Sequence, residues 1–224
     1  MGRSDRNIRN AMCDMFKDRK DAGEKLARVL REYRGKNAIV LALPRGGVVL
    51  GYEVAKALKL PLDIIAVRKI GHPVSPEYAI GAVDDEGTVL LDDDATAGID
   101  RRALQAEIAR EQKEAQRRSA LYRGGKKPLQ MENRTVILID DGIATGLTMR
   151  LAVRNVRSQH PKKIVVAAPV ASIESQGALK REGVDEIVIL DPPEDFLGAV
   201  GAHYARFEQV GDDEVIHLLA GMQT

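Results

Sequence analysis

Val136-Ile137-Leu138-Ile139-Asp140-Asp141-Gly142-Ile143-Ala144-Thr145-Gly146-Leu147-Thr148 is the stretch on which the reading of this chain turns. Four apolar residues in a row have the length and character of a strand buried on both faces of a parallel sheet. They deliver two adjacent carboxylates to the strand's C-terminal end, where open α/β sheets bind their ligands. The Gly- and Thr-rich loop that follows opens a helix, and its N–H groups and hydroxyls can wrap a phosphate. Two acids beside an anion site conflict electrostatically unless they accept hydrogen bonds from vicinal sugar hydroxyls while the sugar's phosphate lies in the loop. A phosphorylated pentose meets both demands. Strand termination and helix capping would explain either acid alone, but not the whole D-D-G-x-x-T-G-x-T run.

Outward from this point, apolar strands alternate with helices. Before it, Ala38–Leu43 reads as a buried strand, a turn falls at Pro44-Arg45-Gly46-Gly47, a helix runs through Val48, Tyr52, Ala55 and Leu58, and Leu62–Val67 reads as a second strand. After it come a helix from Thr148 to about Ser158, strand Lys163–Ala168, a helix near Ile173–Glu182, strand Glu186–Leu190 and a helix from Asp212 whose Val215, Ile216, Leu218 and Leu219 are expected to face a core. This alternation predicts a parallel sheet with helices on both faces. An earlier amphipathic helix is expected from Asp21, capped in a D-x-x-E box with Glu24, carrying Leu26, Val29, Leu30 and Tyr33 and ending near Gly35.

Residues 68–134 break the pattern. A Gly/Pro-bearing loop, Gly71–Pro76, is expected to lead into a hairpin of Ala79–Val83 and Thr88–Leu91, and a long polar helix over Asp100–Tyr122 carries only Leu104, Ile108, Ala115 and Leu121 as an apolar stripe. Residues 16–224 are therefore expected to form one domain with a lid or insert at 70–130, and residues 1–15 a flexible arm.

Composition narrows the class. The 224 residues hold 34 Lys and Arg against 33 Asp and Glu, a net charge of +1, which argues against a nucleic-acid coat. The absence of Trp, with five Tyr and three Phe, argues against a base-stacking platform. One Cys cannot close an internal disulfide, and no run reaches the length of a membrane span, so a cytoplasmic protein with no membrane partner is expected. The histidines have no metal-ligand spacing.

Two further motifs carry candidate chemistry. In Arg45-Gly46-Gly47 the glycines permit close backbone approach, and the arginine offers a fork of donors to an anion. Arg68-Lys69 places two cations at a strand end, ahead of the loop carrying Glu77.

The acid pair and its T-G loop resemble the signature of the type I phosphoribosyltransferases, and Pro44-Arg45-Gly46-Gly47 resembles that family's pyrophosphate loop, whose non-proline cis peptide would fall at Pro44-Arg45. From Phe16-x-Asp18-Arg19 through Val67-Arg68-Lys69-Ile70-Gly71 and Pro76-Glu77 to the terminal helix, the chain is similar to an uncharacterised branch of predicted phosphoribosyltransferases. The resemblance implies a type I phosphoribosyltransferase-like α/β fold with a small hood and a hairpin/helix insert. It implies transfer of the phosphoribosyl group from phosphoribosyl pyrophosphate to a nitrogen nucleophile, a nucleobase by preference, with Mg²⁺ held indirectly by Asp140 and Asp141 through ribose hydroxyls or water. Asp140 and Asp141 would bind the ribose hydroxyls. Gly142, Ile143, Ala144, Thr145, Gly146, Leu147 and Thr148 would form the 5-phosphate loop, with Arg45, Gly46, Gly47, Arg68 and Lys69 on pyrophosphate; apart from the resemblance, Glu77 is a candidate general acid or base. Ala144 stands where 6-oxopurine enzymes commonly carry an acid, which argues against hypoxanthine or guanine. A non-catalytic sensor of phosphoribosyl pyrophosphate is the rival reading. The helix over 100–122 would close the site or make a homodimer contact.

Overall fold

The computed structural model describes residues 15–191, 194 and 196–222. The expected N-terminal arm, apart from residue 15, lies outside the described residues.

Five strands form a wholly parallel sheet in the order β2-β1-β6-β7-β8: β1 (Ala38–Ala42), β2 (Leu62–Ile64), β6 (Thr135–Ile139), β7 (Lys163–Ala168) and β8 (Glu186–Ile189). Val40 pairs with Ile137, and Ile137 with Val165. Because side chains alternate across a sheet, that register sorts the strands' residues into two cores. Val40, Ile137, Ile139, Val165 and Ala167 meet Leu26, Leu30, Leu50 and Val54 on one face. Ile39, Leu41, Val136, Leu138 and Val166 meet Met149, Ala152, Val153 and Val156 on the other.

The first face is covered by α1 (Arg19–Val29), continued by a 3₁₀ turn over Leu30–Tyr33, and by α2 (Gly46–Leu58). The two helices approach so closely that a Cβ on Gly23 would lie 2.9 Å from the Leu50 Cα. Helix α1 starts earlier than the sequence suggests. Asp18, in extended backbone, accepts a hydrogen bond from the Asp21 N–H at 3.0 Å, so Asp18 and not Asp21 is the cap. Val29, expected in the buried stripe, is instead 54% exposed, because Ala22, Gly23, Leu26 and Ala27 form the packed face. The second face is covered by α5 (Leu147–Ser158) and α6 (Ile173–Arg181).

The insert departs further from expectation. The apolar run 62–67 is divided between two sheets: β2 ends at Ile64, while β3 (Val67–His72) begins an antiparallel sheet with β4 (Ser75–Asp84) and β5 (Val89–Leu91). The expected loop 71–76 is largely strand, with its irregularity absorbed as a bulge at Gly71, where a Cβ would meet the Pro76 carbonyl oxygen at 2.4 Å. A short helix α3 (Asp93–Thr96) leads to α4 (Arg101–Arg123), capped by the Asp100 carboxylate on the Ala103 N–H and ended by Gly124 in the left-handed region. The α4 stripe is Ile108, Glu111, Ala115, Arg118 and Tyr122; Leu121, expected in it, is 40% exposed.

In α7 (Asp212–Ala220), Val215 and Leu219 are buried, whereas Ile216, at the edge of that face, is 36% exposed. Chain segments distant in sequence meet above the sheet's C-terminal edge. The Phe16 N–H donates to the His203 carbonyl, the Ala205 N–H to that of Phe16, and the Arg206 N–H to that of Lys17, forming a small hood.

Candidate active site

Asp140 and Asp141 follow β6 directly, and the turn between β1 and α2 is pressed against them. The Pro44–Arg45 peptide is cis, as the resemblance implied. A Cβ on Gly46 would lie 1.9 Å from Asp141 Oδ2, and one on Gly47 would lie 2.8 Å from the Ile139 carbonyl oxygen and 3.1 Å from Asp140 Oδ1. Only glycine allows this approach, so the two motifs separated in sequence share one wall.

The carboxylates are partly engaged by the protein. Asp140 Oδ1 accepts from the Asp141 N–H at 2.8 Å, and Asp141 Oδ2 accepts from Arg19 Nε at 2.7 Å. Asp140 Oδ2 and Asp141 Oδ1 accept from no N–H group among the described residues, and the two carboxyl groups lie close enough to share a proton between them. Burial, and then the neighbouring Asp141 charge, push the Asp140 carboxyl well above the ordinary carboxylate range. Burial also raises Asp141, against the opposing pull of the Arg19 guanidinium.

The loop 142–146 is fastened from outside. The Ile143 N–H donates to the Val170 carbonyl at 2.9 Å, the Ser172 N–H to that of Ile143, and Ser172 Oγ to that of Ala144 at 2.7 Å. Gly146 takes φ +76°, which turns the chain into α5. The N–H groups of Ala144, Thr145 and Gly146 donate to no acceptor among the described residues, and the first turn of α5 adds the donors that a helix N-terminus leaves unpaired. Ala144 and Thr145 are exposed and Thr148 is half-buried. This is a cradle of donors beside two carboxyl groups.

Arg45 stands at the head of α2, and its guanidinium meets Asp212 at 3.5 Å. Asp212 also accepts from the Tyr122 hydroxyl at 2.5 Å and pairs with Arg117 at 2.9 Å. The Tyr122 hydrogen bond, followed by the two arginines, lowers the Asp212 carboxyl; burial and that same carboxylate push the Tyr122 phenol up to about 12.

Arg68, Lys69 and Glu77 are placed differently. Successive strand residues point to opposite faces, so Arg68 turns to α4 and pairs with Glu111 at 2.8 Å, whereas Lys69 pairs with the fully exposed Glu77 at 3.5 Å. The structure brings Asp140, Asp141, loop 142–148, Gly46 and Gly47 together. It commits the charges of Arg68, Lys69 and Glu77 to partners within the insert.

Three residues at this place had no role in the sequence reading. Arg19 reaches Asp141, donates from Nη1 to the Glu208 carbonyl at 2.6 Å, and lies 3.8 Å above the Phe207 ring. The Tyr204 hydroxyl donates to the Asp141 carbonyl at 2.6 Å, and burial raises its phenol strongly. Asp212 is the third. Each acts across a long sequence separation, beyond any local periodicity; only the Asp18-Arg19 string of the family resemblance touched one of them.

Among the described residues no group of three or more His, Cys, Asp or Glu could by itself hold a metal ion. The hard oxygens of Asp140 and Asp141 suit Mg²⁺ as partial or water-mediated ligands.

Residues 13–204 match the family described as the phosphoribosyl transferase domain. Proteins from two Mycobacterium tuberculosis strains, each named a "putative phosphoribosyl transferase", are 40% identical over 207 residues, covering 92% of this chain. The chain spans 46% of the length of these relatives. The crystal structure of TT1426 from Thermus thermophilus is 40% identical, superposes with a TM-score of 0.74, and is covered over 99% of its length by 93% of this chain. With the acid pair, the T-G loop and the cis-peptide turn at one sheet edge, and with nearly the whole chain matched, this protein belongs to the phosphoribosyl transferase family.

Proposed function

We propose that the protein is an Mg²⁺-dependent enzyme that transfers the phosphoribosyl group of phosphoribosyl pyrophosphate to a nitrogen nucleophile and releases pyrophosphate. The observation that carries this is the pair of carboxyl oxygens that accept from no N–H group, Asp140 Oδ2 and Asp141 Oδ1, in the same loop as unpaired N–H groups. Two acceptors for vicinal hydroxyls adjoin donors for a terminal phosphate. A bond forms between sugar C1 and the acceptor nitrogen as the C1–oxygen bond to pyrophosphate breaks; the bonding pair leaves with pyrophosphate, and the nitrogen loses its proton.

The chain's own part is positioning and charge stabilisation. Asp140 and Asp141 orient the pentose by hydrogen bonding to its vicinal hydroxyls. The cradle 144–148 fixes the 5-phosphate. Gly46, Gly47 and Arg45 face the leaving pyrophosphate, for which Arg45 exchanges its bond to Asp212. Asp140 and Asp141 would hold Mg²⁺ indirectly, through the sugar hydroxyls or water, and its positive charge would offset that of the leaving pyrophosphate. Closure of the β3–β4 hairpin would bring Lys69 toward pyrophosphate, with Arg68 at its root and Glu77 beside the acceptor.

Pyrophosphate release measured with phosphoribosyl pyrophosphate, Mg²⁺ and a panel of nucleobases and amines tests this reading. At least one acceptor is expected to turn over, and Asp140→Asn/Asp141→Asn to abolish both release and sugar binding. Tight binding without release for every acceptor would establish a sensor instead.

A further inference from the structure

Asp141 is the point at which the hood is tied to the floor of the site. Its Oδ2 is held between Gly46 of the β1–α2 turn and Arg19 of α1, and its carbonyl oxygen receives the Tyr204 hydroxyl from the C-terminal half of the hood. Arg19 is itself fixed in three ways. Nε meets Asp141, Nη1 meets the Glu208 carbonyl, and the guanidinium lies on the Phe207 ring, which packs 4.9 Å from Tyr204. The Arg19 side chain is only 12% exposed and that of Asp141 16%.

These contacts decide which oxygen of Asp141 is available. With Oδ2 taken by Arg19 and crowded by Gly46, the carboxylate presents Oδ1. Asp140, whose Oδ1 is taken by the Asp141 N–H, presents Oδ2. An unfixed carboxylate would turn about its terminal torsion, which is soft, and lose this two-oxygen face. We propose that Arg19 is a positioning residue of the sugar site, holding Asp141 by Oδ2 so that Oδ1 is left for a ribose hydroxyl, and that through Phe207 and Glu208 it ties hood assembly to that orientation.

This inference rests on the pentose reading of the acid pair and adds to it a residue outside both motifs. It makes a directional prediction. A residue that positions Asp141 improves the binding of anything carrying the hydroxyls, whereas a residue that merely fills the empty site would compete with them. Arg19 also differs from a general structural strut, because only ligands that use the acids should sense its loss.

Isothermal titration with two probes, ribose 5-phosphate and inorganic pyrophosphate, each with Mg²⁺, separates these cases. Arg19→Gln is expected to weaken ribose 5-phosphate about tenfold or more, the effect of a charge-assisted bond, and to leave pyrophosphate within about twofold. Arg19→Lys should not restore binding, since one ammonium group cannot reproduce the planar fork that spans Asp141 and Glu208. Phe207→Leu, which removes only the supporting ring, should give the same split at about threefold, and it carries the test if Arg19→Gln unfolds. Equal weakening of both probes, no change for ribose 5-phosphate, or tighter ribose 5-phosphate binding would overturn the proposal. Wild-type protein that binds pyrophosphate but not ribose 5-phosphate would overturn the pentose reading itself.

Discussion

Gly46→Ala isolates the geometry of the acid pair from the stability of the fold. The added Cβ would lie 1.9 Å from Asp141 Oδ2, 2.7 Å from Asp141 Cγ and 2.8 Å from Arg19 Nε, whereas ordinary contact begins near 3.4 Å. The carboxylate must therefore retreat by about 1.5 Å at its near oxygen. A displacement of ~1 Å at a reacting site can cost ~100-fold, so kcat/KM should fall by about two orders of magnitude, roughly 2.7 kcal/mol at 1.36 kcal/mol per decade. The obstructing atoms belong to side chains that can move, and alanine favours the first turn of a helix over glycine. Tm should therefore fall less than a clash with backbone would make it fall.

Gly47→Ala provides the contrast. Its Cβ would meet the Ile139 carbonyl oxygen at 2.8 Å and the Asp140 Cα at 3.0 Å, backbone atoms of a central strand, so Tm should fall along with activity. Pyrophosphate-release kinetics and calorimetry on the two variants check the pair. A double-mutant cycle of Gly46→Ala with Asp141→Asn should be strongly non-additive, because both changes act through one carboxylate. Wild-type turnover by a folded Gly46→Ala protein would refute the reasoning.

Two predictions concern pH and stability. Asp140 is held above its ordinary range by burial and by Asp141, so the folded chain retains a proton that the unfolded chain gives up, and stability falls as pH rises through that window. Asp140→Asn should accordingly raise Tm at neutral pH while removing sugar binding, with the gain vanishing below the ordinary Asp value of 3.8; a lower Tm at pH 7 would contradict this. Glu114 shows the opposite sign. Its hydrogen bond from Arg117, reinforced by Arg118, lowers it from 4.5 to about 2, so its contribution is complete above 4.5 and lost as pH falls toward 2. Glu114→Gln should cost about 1 kcal/mol at pH 7 after allowance for solvent screening, and denaturant titrations should show that difference closing by pH 2.

The parallel sheet was legible because its strands are short apolar runs buried on both sides: Lys163–Ala168 has the boundaries expected of it. The insert was less legible for the same physical reason. Leu62–Val67 is apolar but for Asp63, and nothing in its composition marks that Ile64 and Val67 belong to different sheets. Gly71 and Pro76 look like loop residues, yet a bulge accommodates both within a strand pair. The long helix misled because buried charge takes the place of apolar residues in its stripe, Glu111 being matched by Arg68. At the site, the sequence pointed to the acids and both loops, since each is a contiguous string. Arg19 and Asp141 are 122 positions apart, and only folding makes them neighbours.

Sequence separation also bears on how the molecule is made. Asp18 and Arg206, which form an ion pair in the hood, are 188 positions apart, so this clasp closes one of the longest loops in the chain. Contacts of such high order form late. On the ribosome, where synthesis proceeds from the N-terminus, β1, β6 and β7 can dock while the roof still lacks its second half. Nascent chains that have emerged only through β8 would then carry the acid pair and its loop without the roof, and on the proposed function would shed a bound sugar faster than the finished protein does.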